Sequence, residues 1–175
     1  MQHSDHVALL RDGVPGPGGA WADLGSGAGA FTLALADLVG PDAEISSVDT
    51  DRRALARQAE AMRAAFPATR VRYLVADFTG PLALPPLDGI VMANALHFQR
   101  DQAAVVRALR ERLRPGGRLL LVEYNTDRGN RWVPYPLAYP TWAALAGACG
   151  FAATRLLHTR PSRFLGEIYS AVSVA

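Results

Sequence analysis

Ala22-Asp23-Leu24-Gly25-Ser26-Gly27-Ala28-Gly29-Ala30 joins two segments of opposite periodicity. Before it, Ala20 to Leu24 reads as a short buried strand. After it, Phe31, Leu35, Leu38 and Val39 recur at helical spacing until Gly40-Pro41 stops the helix. Glycine at positions 25 and 27 permits a tight turn and lets the main chain touch a ligand that a side chain would hold off. Glu44 to Asp49 follows as a second strand, and Asp49 stands 20 residues after Gly29. At that distance its carboxylate can accept both ribose hydroxyls of a nucleoside. The competing reading is that the glycines only pack helix on strand and Asp49 caps the next helix.

The same alternation continues in both directions. Ser4 is the expected N-cap of a short opening helix carrying Val7, Leu9 and Leu10, ended by the Pro-Gly run 15–19. Leu55, Ala59, Met62 and Phe66 mark a helix stopped by Pro67, and Val71 to Asp77 a third strand. Pro81, Pro85 and Pro86 make a regular helix over 78–87 unfavourable, so a turn or stub is expected there. Gly89 to Leu96 suits a central buried strand. Val105, Leu109 and Leu113 give the following helix its inner stripe, Pro115-Gly116-Gly117 ends it, and Arg118 to Tyr124 forms a fifth strand. After an aromatic loop, 125–139, Pro140 opens a last helix that Gly150 closes. Two strands, 153–158 and 167–174, end the chain with no helix between them. Such alternation requires right-handed crossovers, hence an α/β fold: a Rossmann-like, doubly wound, mostly parallel sheet with one antiparallel strand from the closing hairpin. One domain over 1–175 is expected, with 1–19 as N-terminal helix and linker and 20–175 as core.

Composition narrows the chemistry. The 175 residues contain 18 basic and 16 acidic side chains, and every basic one is arginine. Mechanisms that need lysine, such as Schiff bases or a P-loop, are therefore closed. The densest basic cluster, Arg107, Arg110, Arg112, Arg114 and Arg118, is broken by Glu111 and apolar residues and reads as a helix face, not a nucleic-acid stripe. A single cysteine, Cys149, excludes a disulfide framework and a cysteine zinc site, and no His/Asp/Glu spacing predicts a metal. With no cationic leader and no long apolar run, a cytoplasmic enzyme without membrane contact is the default expectation.

The glycines also satisfy the G-x-G-x-x-A pattern of dinucleotide sites, so NAD must be weighed. Asp23, just before the first glycine, would oppose a pyrophosphate and suits an ammonium instead. Asp77, followed by Phe78, can bond an adenine amino group and cover its ring. A site this rich in carboxylates favours a cationic cofactor. The order Asp23-Leu-Gly-Ser-Gly-Ala-Gly29, Val48-Asp49, Ala76-Asp77, Asp88 to His97 and Leu113-Arg-Pro-Gly-Gly117 resembles the class I S-adenosylmethionine-dependent methyltransferases. The resemblance covers residues 20–125 at motif level. It implies a seven-stranded sheet with a reversed last strand and S-adenosylmethionine as cofactor. It also implies a methionine side at Asp23, Gly25 and Gly27, a ribose side at Asp49, an adenine side at Asp77 and Phe78, and a sulfonium side from Asn94, Ala95 and Leu96 to His97, with Ser26, Gly29 and Thr50 as further cofactor-binding residues.

Under that resemblance the reaction is transfer of a methyl group to an O or N nucleophile, and a general base is needed only where the nucleophile is poorly ionised. His97, just after the fourth strand, is the candidate base, against a packing or cofactor-contacting role. Glu123, ending the fifth strand, is expected to face the cleft and to bind a substrate amine or pair with an arginine. Tyr124 is a weaker candidate. Trp132, Tyr135 and Tyr139, with Trp142, concentrate beyond the fifth strand, where ligand crevices form, and suit a planar or greasy substrate. Arg128 and Arg131 beside them can receive an acidic one. No Asn/Asp-Pro-Pro-Tyr sequence follows the fourth strand, and Cys149 falls in a helix next to Gly150. Methylation of base nitrogens and thiolate chemistry on cytosine are thus disfavoured, and the family's lysine-containing ribose-methylating tetrad cannot form. A small-molecule substrate and a monomer or homodimer are expected, with a lid drawn from the N-terminal helix and loop 125–139 or from a neighbouring subunit. The alternatives are an NAD(P)-binding oxidoreductase and a non-catalytic methyltransferase-like binding module.

Overall fold

The computed structural model describes all 175 residues. A seven-stranded sheet has the order β3-β2-β1-β4-β5-β7-β6. Its strands are β1 (Ala20–Leu24), β2 (Glu44–Asp49), β3 (Arg70–Val75), β4 (Leu87–Ala93), β5 (Leu113–Tyr124), β6 (Ala153–Ser162) and β7 (Gly166–Val174). The first five run parallel, and β7 alone is reversed, slotted between β5 and β6 by the closing hairpin. The order of strand addition reverses between the parallel neighbours β1 and β4, which opens a crevice at the carboxyl ends of those strands.

The helices are α1 (His3–Arg11), α2 (Ala30–Val39), α3 (Arg52–Ala65), α4 (Gln102–Arg112) and α5 (Tyr139–Ala148). Side-chain parity along β1 separates two apolar layers. Trp21 packs with α1, α2 and α3 on one face, and Ala22 and Leu24 with α4 and α5 on the other. Asp23 shares Trp21's face and Glu123 the opposite one, so the two buried acids lie on different sides of the sheet.

Several local expectations are corrected. Gln2, not Ser4, caps α1, and the Gln2 N–H donates to the Asp5 carboxylate (2.9 Å). β5 starts at Leu113, not Arg118. Pro115-Gly116-Gly117 is absorbed as an irregularity between the Leu87–Leu113 and Gly89–Arg118 pairings, because the α4 chain end already lies beside β4. The buried residues of α4 are Val106 and Leu109, and α3 buries Gln58, a polar residue that hydrophobic periodicity passes over. The closing strands extend beyond 158 and begin at 166. The proline-rich 78–86 segment has no helix, as expected.

The arginines around α4 are structural clamps. Arg110 donates to the Gly150 carbonyl (2.6 Å), Arg112 to that of Leu82 (3.1 Å) and Arg118 to that of Gly13 (2.9 Å), while Arg114 pairs with Asp88 (2.6 Å). The opening helix packs on α2 and beside β6, tied there by an Arg160–Asp5 ion pair and a His158–Asp12 hydrogen bond. It contributes nothing to the crevice, so the expected lid role of α1 is not realised.

Candidate active site

The crevice is a pocket of about 370 Å³ at the carboxyl ends of β1, β2, β3 and β4. A groove of about 780 Å³ exists at the opposite edge, lined by Ala20, Glu44, Arg70 and Arg72 among others. Size alone would favour the groove, but strand carboxyl ends and the glycine loop converge only on the smaller pocket.

The glycine loop forms one wall. Gly25 has φ +74°, and a β-carbon there would sit 2.6 Å from the Ala95 Cβ across the cleft. Gly29 has φ +91°, and a β-carbon there would overlap the Gln58 side chain. Gln58 is fully buried and backs the loop, since the Ser47 hydroxyl meets both the Gln58 Oε1 (3.1 Å) and the Ser26 hydroxyl (2.7 Å). Gly25→Ala is expected to lower stability by about 1–3 kcal/mol. It should also weaken uptake of S-adenosylhomocysteine more than about tenfold in calorimetry, because the clash lies on the pocket floor. Unchanged binding would show that this floor is not part of the site.

Of the expected cofactor residues, Gly25, Asp49, Thr50, Asp77, Phe78, Asn94 and Ala95 line the pocket, together with Ala76, Phe98 and Gln99, which the sequence reading missed. Phe98 lies in a 3₁₀ turn over Leu96–Phe98 that too few residues signal in advance. Asp49 is not the helix cap. Asp51 caps α3 by accepting from the N–H groups of Arg53 (2.8 Å) and Ala54 (3.1 Å). Asp49 instead accepts from the Gly27 N–H (2.7 Å) and faces the pocket. Asp77 accepts from the Thr79 N–H and hydroxyl, which holds its carboxyl below the usual carboxylate range. Asn94 adopts φ +52°, and its Oδ1 is sealed from solvent without a partner. The Asn94 side chain thus lines the pocket with an acceptor that no protein donor meets.

Asp23, Ser26, Gly27, Gly29 and Leu96 are outside this lining. Leu96 is core, Ser26 binds the loop to Gln58 through its hydroxyl (3.3 Å), and Gly29 packs closely against that side chain. Asp23 is only 1% exposed and accepts from the Thr32 hydroxyl on α2 (2.6 Å). Burial first, and then the Asp49 charge, push its carboxyl up to about 7 against the Thr32 hydrogen bond.

Next to Phe98 sits a buried pair. His97 is 3% and Glu123 0% exposed, and the imidazole Nδ1 lies 2.7 Å from Glu123 Oε2, while the His97 backbone N–H donates to Oε1 (3.2 Å). A carboxylate oxygen accepts, so Nδ1 is the donor, and in the neutral ring the lone pair is on Nε2. Nε2 has no protein partner and is not among the sealed polar atoms. Glu123 therefore serves His97, correcting the expectation of a substrate amine or an arginine. The loop is tied to the same turn, because Tyr135 N–H donates to the His97 carbonyl (3.0 Å). Tyr135 and Trp132 are exposed at the rim. Tyr139, expected to touch substrate, is spent internally: its hydroxyl accepts from the Leu156 N–H (3.1 Å) and its ring meets Tyr169. Trp142 is core.

The model of the methyltransferase domain matches residues 22–119. The chain belongs to the methyltransferase-domain family. Its cofactor class is accordingly S-adenosylmethionine, and the pocket's carboxylates, Asn94 acceptor and side-chain-free floor fit that group. The reversed β7 likewise sets aside the all-parallel dinucleotide fold. Mouse acetylserotonin O-methyltransferase is 40% identical over 111 residues, which is 58% of this chain and 27% of that enzyme. The ubiquinone/menaquinone biosynthesis C-methyltransferase of Pasteurella multocida is 30% identical over 104 residues, 59% of this chain and 39% of that enzyme. The chain thus spans well under half the length of these relatives. YcgJ of Bacillus subtilis superposes with a TM-score of 0.78 at 15% identity, covering 98% of both chains. The 1,6-didemethyltoxoflavin N1-methyltransferase of Burkholderia thailandensis, solved with S-adenosylhomocysteine, gives 0.75 at 18% identity over 99% of this chain and 78% of its own.

Proposed function

We propose that the chain transfers a methyl group from S-adenosylmethionine to a hydroxyl oxygen of a small molecule, with His97 as general base and Glu123 positioning it. The buried pair carries this reading. A hydroxyl is poorly ionised and needs a proton acceptor, whereas a neutral amine does not. Glu123 fixes the ring so that Nε2, the atom without a partner, is the one presented to the acceptor. When bound, the cofactor supplies a methyl already activated by its sulfonium. The chain's residues then hold, orient and deprotonate. Asp49 and Thr50 would take the ribose, Asp77 and Phe78 the adenine, and Asn94 a donor on the amino-acid side. Nε2 of His97 receives the acceptor's proton.

A pocket of this size falls within the rough 300–1,000 Å³ range of small-molecule sites. No helix is long and apolar enough to cross a membrane. A cytoplasmic location belongs to the same reading and rests on the buried, unpaired thiol of Cys149. The test is calorimetry with S-adenosylhomocysteine, followed by labelled methyl transfer to a panel of phenols, amines and carboxylates. Uptake with label on phenol oxygen is expected, and Asp49→Ala should weaken uptake. No heat at millimolar ligand would end the cofactor reading. Uptake with no transfer would favour a binding module.

A further inference from the structure

We infer that the acceptor is an aromatic anion, a ring bearing a carboxylate or similar acidic group, and that the tip of the β6–β7 hairpin is part of its binding site. This rests on the methyl-transfer reading above.

Two observations converge. The first is a continuous run of rings across the mouth of the site. Phe98 lies 4.2 Å from His97 between ring centroids, His97 lies 6.1 Å from Tyr124, and Tyr124 lies 5.7 Å from Phe164 in an edge-to-face contact. The candidate base is thus in the middle of the run. Its two outer members are left in solvent, Phe98 at 58% and Phe164 at 49% exposure. Phe164 sits in the turn between β6 and β7. Because β6 runs parallel to β5, that turn lies at the same sheet edge as the end of β5, next to Tyr124. Exposed aromatic surface is costly unless something covers it, and offset or edge-on rings on either side of a base suit another flat ring.

The second observation is charge. The loops after β4 and β5 and the β6–β7 turn carry Arg100, Arg128, Arg131 and Arg163, all exposed and none with a carboxylate partner. The acids on the same segments keep their charge but form no ion pair with these arginines, each being hydrogen-bonded to neutral donors. Asp101 caps α4, Asp127 accepts from the Ala138 N–H and the Thr141 hydroxyl, and Glu167 accepts from Asn125 Nδ2 (2.6 Å). Arginine accompanies three of the four exposed rings: Arg100 follows Phe98 by two residues, Arg163 precedes Phe164, and Arg131 lies over the Trp132 ring at 5.8 Å, while Tyr135 has none. The site is therefore polar end to end. The cofactor half presents Asp49 and Asp77, which suit a cation, and the segments of the acceptor half carry four exposed arginines outside any ion pair against three acids, a surplus that suits an anion.

The experiment loads the protein with S-adenosylhomocysteine and titrates two probes by calorimetry, 3,4-dihydroxybenzoate and its neutral methyl ester. The acid is expected to bind about tenfold more tightly at low salt, with the preference shrinking as salt is raised. Arg163→Gln should cut that preference about two- to fivefold while leaving the ester's affinity unchanged. Phe164→Ala should weaken both probes by the same factor. Equal affinities, a tighter ester, or no uptake of either probe by loaded protein would overturn the inference and leave the cofactor reading standing. Failure to load S-adenosylhomocysteine in the first place would remove both.

Discussion

His97→Gln lowers kcat for a phenolic acceptor by about 10²- to 10⁴-fold, the range that a positioned general base contributes, and leaves S-adenosylhomocysteine affinity within about twofold. Glutamine is chosen because it keeps a hydrogen-bonding amide beside Glu123 without a basic atom, so the buried carboxylate is not stranded. A packing role would give a different pattern. If His97 only filled space between Phe98 and Tyr124, the variant would lose thermal stability and affinity with little change in kcat. The decisive readout is acceptor acidity. Nitro-substituted phenols ionise without help, so the loss should shrink steadily along a series of increasingly acidic phenols. Glu123→Gln should follow the same trend with a smaller loss, more than about tenfold, because it acts through the orientation of the imidazole. Equal losses for acidic and ordinary phenols would mean that His97 removes no proton, and the base assignment would fall.

How far the sequence anticipates this arrangement differs between its parts. The mostly parallel α/β sheet and its one antiparallel strand follow from alternation, crossover handedness and a helix-free closing hairpin, all properties of short stretches read in order. Asp49 and Asp77 are legible for the same reason, since each stands at the carboxyl end of a strand and the topology gathers those ends, whereas Asn94 is implied only by the family resemblance. What stayed hidden depends on side-chain direction and on pairing across the sheet. Glu123 was seen as a cleft acid, yet its partner is 26 residues away on another strand's turn, a relation no local pattern carries. Asp23 and Tyr139 have the right positions but turn inward, toward Thr32 and Leu156. Phe164 escaped notice because a lone aromatic in a turn carries no periodicity, and its role appears only when the hairpin brings it to Tyr124. Gln58 escaped because a polar residue on an inner helix face is meaningful only once the two serines it holds are in place.

Asp23 gives the second large expectation, a stability that falls as pH rises. Its carboxyl is held at about 7 in the folded chain against 3.8 as an ordinary aspartate. Between those values the folded state keeps a proton that the unfolded state has released, so the proton number is higher when folded and the slope of unfolding free energy with pH is negative. The loss amounts to a few kcal/mol over that window and is complete above pH 7, where both states are ionised. Urea titrations of the ligand-free protein at pH 5.5, 6.5 and 8 should show the decline, and Asp23→Asn, which keeps the contact with Thr32 but cannot ionise, should flatten it. Parallel profiles for the two proteins would remove Asp23 as the source. The same carboxyl senses the pocket, because the negative charge of Asp49 on the pocket wall is one of the things raising it. A positively charged ligand acts with the opposite sign and should draw the proton off. Binding of S-adenosylmethionine near pH 6 is therefore expected to release up to one proton, measured as a dependence of the calorimetric heat on buffer ionisation enthalpy. The apparent affinity should rise between pH 5.5 and 7 in the wild type and stay level in Asp23→Asn. Proton uptake on binding, or an affinity that falls over that interval, would show that the cation does not reach the field of these acids.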